Sequence, residues 1–102
     1  LAMTGLWNAA RAGSPERVSI ELDRGADANW KNVGDQGQSA LCVAARNGHE
    51  NCSALLLAAG ASVDEPTDSG ATPLHIAGQQ GQEACVRFLL EARAAVDQTE
   101  SQ

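Results

Sequence analysis

The sequence predicts an all-α fold in which about three helix–turn–helix units stack side by side. Similar short strings close on glycines at positions 13, 48 and 81, so the copies are separated by 35 and 33 residues. Strings that begin at positions 25, 60 and 93 repeat at the same intervals. The chain has two Trp, one Phe and no Tyr, so alanine and leucine must fill the core, as they do between closely packed helices. A unit that cannot bury its apolar face alone buries it by stacking on its neighbours.

Each unit is predicted to contain two helices and a polar loop. The first helix begins at about Thr4, Ser39 or Thr72, because a Ser or Thr hydroxyl can accept a hydrogen bond from an unpaired first-turn amide. It ends at the marker glycine, which suits a left-handed residue. The second helices are predicted over residues 15–23, 50–58 and 83–91. The polar loops are predicted to project as turns or hairpins over residues 29–38 and 64–71.

Charge and cysteine content limit the classes of function. The net charge is −6 and the sequence pI is about 4.6, so a nucleic acid or an anionic membrane is not the expected partner. A basic or mixed-charge protein fits better. No apolar run reaches the roughly 18 residues that span a bilayer. Cys42, Cys52 and Cys85 have no framework spacing, which indicates free thiols and an intracellular location, in the cytoplasm or nucleus.

The segment Thr72-Pro73-Leu74-His75-Ile76-Ala77 resembles the signature of the ankyrin repeat, whose period is 33 residues. The resemblance extends from about Thr4 to Asp97. It implies an all-α ankyrin-repeat solenoid with projecting β-turn or hairpin fingers, forming one monomeric domain over residues 1–102 that is a fragment of a longer protein. We refer to its units as repeat 1 (about 4–29), repeat 2 (about 37–64) and repeat 3 (about 70–97).

Two residues depart from the pattern. Glu21 occupies the position of Leu56 and Leu89, and repeat 1 is expected to leave it partly wet. Arg93 replaces the glycine found at positions 25 and 60, so the final turn is expected to be distorted or frayed.

The resemblance implies a protein–protein interaction module, such as a scaffold, adaptor or substrate-recognition domain. In this family a protein or peptide binds the fingers and the concave face of the first helices. The first-helix positions carried over by motif are Arg11, Ala12, Arg46, Asn47, Gln79 and Gln80. The finger positions are Trp30, Lys31, Asn32, Asp35, Gln36, Gln38, Pro66, Asp68, Ser69 and Ala71.

Three of these assignments have alternatives. Trp30 either is a binding hot spot or folds back onto the base of its own finger. Arg11 and Arg46 share a repeat position, where they form a small basic stripe for a partner or are simply solvated or paired with finger carboxylates. Trp7, at the histidine position of the signature, is expected to pack.

An enzyme is not expected, and neither is a cofactor or a metal. His75 belongs to the family signature, where it implies hydrogen bonding between neighbouring turns, and His49 is a common family residue after the corner glycine. His49 and Cys52 have a suggestive spacing, but the chain has no CxxC or HxxxH pair and no phosphate loop or nucleophile motif. The copies are too divergent for a consensus-designed spacer. A reader of histone tails or modified lysine is the alternative function, although it needs a cage of several aromatic rings.

Overall fold

The computed structural model describes the backbone of residues 3–100 and the side chains of residues 4–93. This part of the chain forms six α-helices and one short hairpin. The helices are α1 (Met3–Ala12), α2 (Pro15–Asp23), α3 (Ala40–Arg46), α4 (Glu50–Ala58), α5 (Pro73–Gln79) and α6 (Glu83–Glu100). The hairpin comprises β1 (Lys31–Asn32), a 3₁₀ turn (Val33–Asp35) and β2 (Gln38–Ser39).

The helices pack in two parallel rows. The first helices α1, α3 and α5 contact one another in that order, and so do the second helices α2, α4 and α6. Each second helix also packs on the first helix of its own repeat. This arrangement confirms the predicted stack of three helix pairs.

The predicted helix boundaries of repeats 2 and 3 follow from side-chain caps and corner glycines. Ser39 Oγ accepts from the Cys42 amide at 3.2 Å, and Thr72 Oγ1 accepts from the His75 amide at 3.3 Å. The corner glycines at 13, 48 and 81 have φ angles of 79°, 78° and 72°, which places all three in the left-handed region. The same turn therefore recurs once in each repeat, as predicted.

The core lies between the two rows and is filled mainly by alanine and leucine. Leu6, Leu41, Leu56 and Leu89 are all buried to within 1% of full burial. Alanines on the first helices are buried at equivalent positions 9, 44 and 77, where their small side chains allow close helix approach. Trp7 is also buried, which confirms its predicted packing role.

The end of repeat 3 differs from the prediction. Helix α6 was expected to end near residue 91, but it continues to Glu100. Gly25 and Gly60 reverse the chain after α2 and α4 with φ angles of 92° and 98°. Arg93 stands at the equivalent position, and a side chain disfavours that conformation, so the helix continues. Arg93 Nε instead lies 3.5 Å from Asp64 Oδ2. The side chains of residues 94–97, at the end of the predicted third repeat, lie outside the described ones.

Glu21 is half-buried, as expected for a polar residue at an otherwise leucine position of the outermost repeat. Its carboxylate forms an ion pair with Arg24, with Oε2 and Nη1 3.4 Å apart. The pair leaves the carboxylate partly solvated without exposing the core.

Polar side chains also join the repeats at their corners. Asn47 Nδ2 and His49 Nε2 both donate to the Arg11 carbonyl, at 3.2 and 3.1 Å. One repeat later, Gln82 Nε2 donates to the Arg46 carbonyl at 3.0 Å. The side chain of Asn29 links repeat 1 to the turn after α4, because it donates to the Gly60 carbonyl and accepts from the Ser62 amide. These bonds fix each repeat against the next.

Candidate protein-binding surface

The longer finger, residues 30–38, is a small built structure. Its strands pair in antiparallel fashion, with Lys31 opposite Ser39 and Asn32 opposite Gln38. Asn32 Oδ1 accepts from the Gly34 amide at 3.1 Å and thereby starts the 3₁₀ turn. Gln36 then adopts a left-handed conformation with a φ of 60° and returns the chain to β2. The finger therefore has a defined shape before any partner arrives.

The base of this finger is held on both sides. Trp7 Nε1 donates to the Gln38 carbonyl at 3.0 Å, which ties the finger to α1. Lys31 Nζ lies 3.7 Å from Glu65 Oε2 on the shorter finger. The Asp68 amide donates to the Gln36 carbonyl at 2.9 Å, which joins the two fingers through their backbones. Contacts on both sides restrict the finger's movement relative to the helices.

The tip of the longer finger carries Val33, whose side chain is 85% exposed. Val33 is not among the finger residues predicted from the sequence. A signal was present: a single β-branched apolar residue stands between Asn32 and Gly34 in an otherwise polar segment. An apolar side chain so fully exposed has no role in the core.

The shorter finger, residues 65–71, is a tight turn around a buried threonine. The Thr67 amide donates to the Ala71 carbonyl, and the Gly70 amide donates to the Thr67 carbonyl, each at 2.9 Å. Thr67 Oγ1 also hydrogen-bonds Ser69 Oγ at 3.1 Å. Three predicted contact residues of this finger are exposed: Pro66, Asp68 and Ser69.

Other predicted finger residues have internal partners. Trp30 is half-buried and packs against the core, which agrees with the packing alternative. Gln38 is only 2% exposed, so its expected place on the binding surface is wrong; β2 lies against α1 and buries it. Lys31 and Asn32 are half-buried and engaged in the contacts described above. Asp35 is half-buried and Gln36 is exposed, so they remain accessible beside Val33.

The first-helix row places Arg11, Arg46 and Gln79 at one repeat position, and all three are exposed. The Arg11 guanidinium lies over the Trp7 ring, 5.8 Å from its centroid, so this cation has an internal contact. Arg46 takes part in none of the three ion pairs formed among the described side chains.

The remaining first-helix positions are also exposed. Asn47 and Gln80 have exposed side chains, but the Asn47 amide is already occupied by the Arg11 carbonyl. Arg46, Gln79 and Gln80 are therefore exposed first-helix residues to which no contact of this kind has been assigned.

The histidines and cysteines do not gather into a reactive centre among the described residues. His49 donates to a backbone carbonyl, and His75 is exposed on repeat 3. All three thiols are buried, and burial raises the pKa of each. The described side chains contain no group of three His, Cys, Asp or Glu residues that could hold a metal ion.

The aromatic rings are not arranged as an exposed cage. Trp7 is buried, Trp30 is half-buried against the core, and Phe88 is half-buried on α6. A methyl-lysine pocket needs several ring faces open to one cation. The geometry therefore gives no specific support to the modified-lysine alternative.

The fold and its surface define a class of protein: a stack of helix pairs with projecting fingers, in which the corners and caps of each repeat are the same. A family model described as "Ankyrin repeats (3 copies)" matches residues 6–100, and the chain belongs to the ankyrin repeat family. Ankyrin repeats are generally protein–protein interaction modules and are typically not catalytic. Among the described residues, none of the helices combines the length and apolar character of a bilayer span.

Several curated proteins are similar over part of the chain. Ankyrin repeat domain-containing protein 17 of Homo sapiens is 39% identical over 62 residues, and the protein mask of Drosophila melanogaster, which has ankyrin repeats and a KH domain, is 40% identical over 62 residues. Cortactin-binding protein 2 of Ornithorhynchus anatinus is 43% identical over 63 residues. Each match covers 61% of this chain but only 2% to 4% of the relative. The likeness therefore concerns the repeats and not the whole relatives.

Proposed function

We propose that this chain binds a protein partner through one continuous surface formed by the two fingers and the exposed first-helix residues. We call it the finger face, and its members are Val33, Asp35, Gln36, Arg46, Asp68 and Gln79. The observation that carries the proposal is Val33, an 85% exposed apolar side chain at the tip of a finger braced on both sides. A partner that offers an apolar socket removes this side chain from water.

The bracing of the finger favours affinity. Burying a valine side chain contributes about 1.5 to 2 kcal/mol. A flexible loop would lose much of that gain in ordering entropy on binding, whereas the paired strands and the contacts with Trp7 and Glu65 order this finger in advance. The polar side chains around Val33 would form the rim of such a contact and help to exclude water from it.

Charges around the anchor favour a partner of mixed charge. Asp35 and Asp68 belong to the two fingers, and Arg46 lies on the first-helix row of an otherwise acidic chain. A partner segment with basic residues toward the fingers and an acidic residue toward Arg46 would be complementary. The net charge of −6 opposes a nucleic-acid partner.

The setting that fits this binding role is an intracellular scaffold, adaptor or substrate-recognition protein. Cys42, Cys52 and Cys85 are unpaired, as is usual in a reducing compartment. The name of Cortactin-binding protein 2 states that this relative binds a protein, which supports the class of function and leaves the partner of this chain open.

The test is a binding selection from a library of displayed protein and peptide ligands, followed by measurement of each ligand against two matched variants. Val33→Asp places a charge at the finger tip, and Ile20→Asp places the same charge at a 49% exposed aliphatic residue on the second-helix row. We expect Val33→Asp to weaken binding at least about tenfold, which corresponds to about 1.4 kcal/mol. Ile20→Asp should change it less than about twofold.

A second pair of variants tests the first-helix part of the surface. Arg46→Glu reverses a charge on the first-helix row, and Arg87→Glu reverses one on α6, where the side chain is also exposed. Arg46→Glu should weaken binding more than Arg87→Glu does. Equal losses within both pairs would show that the ligands do not bind the finger face.

A further inference from the structure

The two sides of each repeat are not equally covered in repeat 3. We call the side of a repeat that faces the next one its trailing flank. On the first helices this flank includes Leu6 and Leu41, which are fully buried, whereas the equivalent Leu74 is only half-buried. Trp7 and Cys42 are likewise buried by the next repeat, but the equivalent His75 is exposed. The trailing flank of repeat 3 thus has the residues of an interface, but these residues remain partly or fully exposed.

The second helix of repeat 3 shows the same loss of cover. Val18 and Ser53 are fully buried on α2 and α4, whereas the equivalent Val86 is half-buried. Leu90 on α6 is 50% exposed. Between α5 and α6 lies a groove of about 490 Å³. It is lined by Gly78, Gly81, Glu83, Val86, Arg87 and Leu90.

In repeats 1 and 2, a side chain of the next repeat occupies the space beside the corner glycine and donates to a nearby carbonyl. The corner of repeat 3 has the same space and the same carbonyl. His49 packs over Gly13, where an added Cβ would lie 2.5 Å from the imidazole ring, and Gln82 packs over Gly48 in the same way. Beside Gly81 none of the described atoms lies within 4 Å of that position. The Arg11 and Arg46 carbonyls accept from the residues that follow the next corner glycine, and the equivalent carbonyl in repeat 3 is that of Gln79.

We propose that the trailing flank of repeat 3 is the docking site of a fourth ankyrin-type helix pair carried by the same polypeptide. The argument is continuity with the two interfaces already present. The incoming helix pair would place an apolar residue, at the repeat position of Val43 and Ile76, against Leu74 and Leu90. A side chain after its corner glycine would cover Gly81 and donate to the Gln79 carbonyl.

A second copy of this chain does not offer the same chemistry. Where repeats 2 and 3 face the preceding repeat with buried Val43 and Ile76, repeat 1 has the exposed, polar Asn8. Docking repeat 1 onto repeat 3 would bury this amide against apolar side chains, which is unfavourable without a hydrogen-bond partner.

The sequence after Arg93 resembles the segment that forms the turn after α4, although α6 continues through it in this structure. Residues 94–97 read Ala-Ala-Val-Asp, and the equivalent residues 61–64, which form the turn after α4, read Ala-Ser-Val-Asp. Seating the fourth repeat requires the chain to leave the helical path near Arg93 and turn there, as it does at Gly60.

The experiment adds a fourth repeat taken from the protein itself. Residues 65–97 span one 33-residue period of the repeat, so a second copy of this segment placed directly after Asp97 reproduces the natural junction between Asp64 and Glu65. We expect the extended chain to unfold in a single transition with a melting temperature at least about 5 °C above that of the 102-residue chain. The added interface supplies this gain.

Two substitutions locate the gain. Leu90→Glu in the original third repeat should abolish the rise in melting temperature of the extended chain, yet shift that of the 102-residue chain by less than about 2 °C, because the side chain is half-exposed there. Ile20→Glu, on the exposed outer face of α2, should leave the gain intact. The added copy's residue equivalent to Gln82, changed to Ala, should remove part of the gain.

Three results would overturn the proposal. The added repeat could be helical by circular dichroism yet give no rise in melting temperature. The rise could survive Leu90→Glu. Finally, the 102-residue chain could itself dimerise in sedimentation experiments and lose this association with Leu90→Glu, which would assign the flank to a second copy.

Discussion

The two ends of the stack carry different residues at positions that are equivalent in the repeat. On the side that faces a preceding neighbour, repeats 2 and 3 have Val43 and Ile76 on their first helices, and both are buried. Repeat 1 has no preceding neighbour among the described residues, and its equivalent residue, Asn8, is exposed. At the other end, repeat 3 keeps apolar residues on its trailing flank, where Leu74 is half-buried and Leu90 is 50% exposed.

The second helices repeat the comparison. Cys52 and Cys85 are buried against the preceding repeat, whereas the equivalent residue of repeat 1 is the exposed Arg17. At equivalent positions, an apolar residue is thus found where a neighbouring repeat packs and a polar residue where the position is exposed. The outer face of repeat 1 is thus polar at these positions, whereas that of repeat 3 keeps apolar residues at the positions that form the interfaces between repeats.

The largest expected effect comes from leucines at one repeat position. Leu41→Ala removes a fully buried side chain between two repeats and should lower the free energy of unfolding by about 4 kcal/mol. Leu74→Ala affects a half-buried side chain and should lower it by about 1.5 kcal/mol. Urea denaturation followed by circular dichroism measures both. Equal losses of unfolding free energy would contradict the inference that the trailing flank of repeat 3 is partly exposed.

The next prediction compares Val43 with Asn8, which occupy the same repeat position on the side that faces a preceding repeat. Val43→Asn buries an amide without a prepared partner and should lower the free energy of unfolding by about 3 kcal/mol. Asn8→Val is the reverse exchange at the exposed end and should change it by no more than about 0.5 kcal/mol. The same denaturation experiment applies. A large loss from Asn8→Val would mean that the outer face of repeat 1 is covered in solution.

A smaller effect concerns the continuation of α6. Arg93→Gly restores the residue that reverses the chain at Gly25 and Gly60, so the helix should end near position 93 and the mean helical signal at 222 nm should fall. The free energy of unfolding should fall by about 1 kcal/mol, because glycine disfavours the helix. Arg93→Ala is the matched control: it also removes the ion pair with Asp64 but should keep the helix. A similar loss of helical signal in both variants would assign the helix end to the ion pair instead.

The smallest expected effect is on pH dependence and concerns the buried thiols. Burial raises the pKa of Cys52 and Cys85 above the ordinary value of 9.0. The unfolded state therefore loses these protons at lower pH than the folded state. The resulting stability is fully present below about pH 9 and is lost as the pH rises above it. The urea midpoint measured at about pH 9.5 should thus be lower than the midpoint measured at about pH 7.5. Cys52→Ala should reduce this difference. An unchanged slope in Cys52→Ala would contradict a contribution from this thiol.

The sequence predicted the repeated parts of this fold well. Helices α2 and α4 span the predicted residues, and Ser39 and Thr72 cap the first helices as expected. Such features depend on local chemistry, namely a hydroxyl beside free amides and a glycine at a left-handed corner. They recur in phase, so each copy supports the interpretation of the others.

The features that the sequence did not predict depend on tertiary context or on a departure from the repeat. The burial of Gln38 results from the packing of β2 against α1, and a polar side chain in a loop gives no local sign of it. The exposure of Val33 depends on the direction in which the hairpin projects, and the repeat pattern does not specify that direction. The length of α6 depends on one side chain, that of Arg93, at a position where the pattern led us to expect a turn.

The most direct test of the account is hydrogen–deuterium exchange of the intact chain, resolved by helix. If the repeats form one stack in which neighbours supply the cover, the amides of α3, which has a repeat on both sides, should exchange most slowly. Those of α1 should be intermediate, and those of α5, with its open flank, should be the fastest of the first-helix row. Exchange in α5 as slow as in α3 would contradict the account, because it would show that the flank of repeat 3 is already covered.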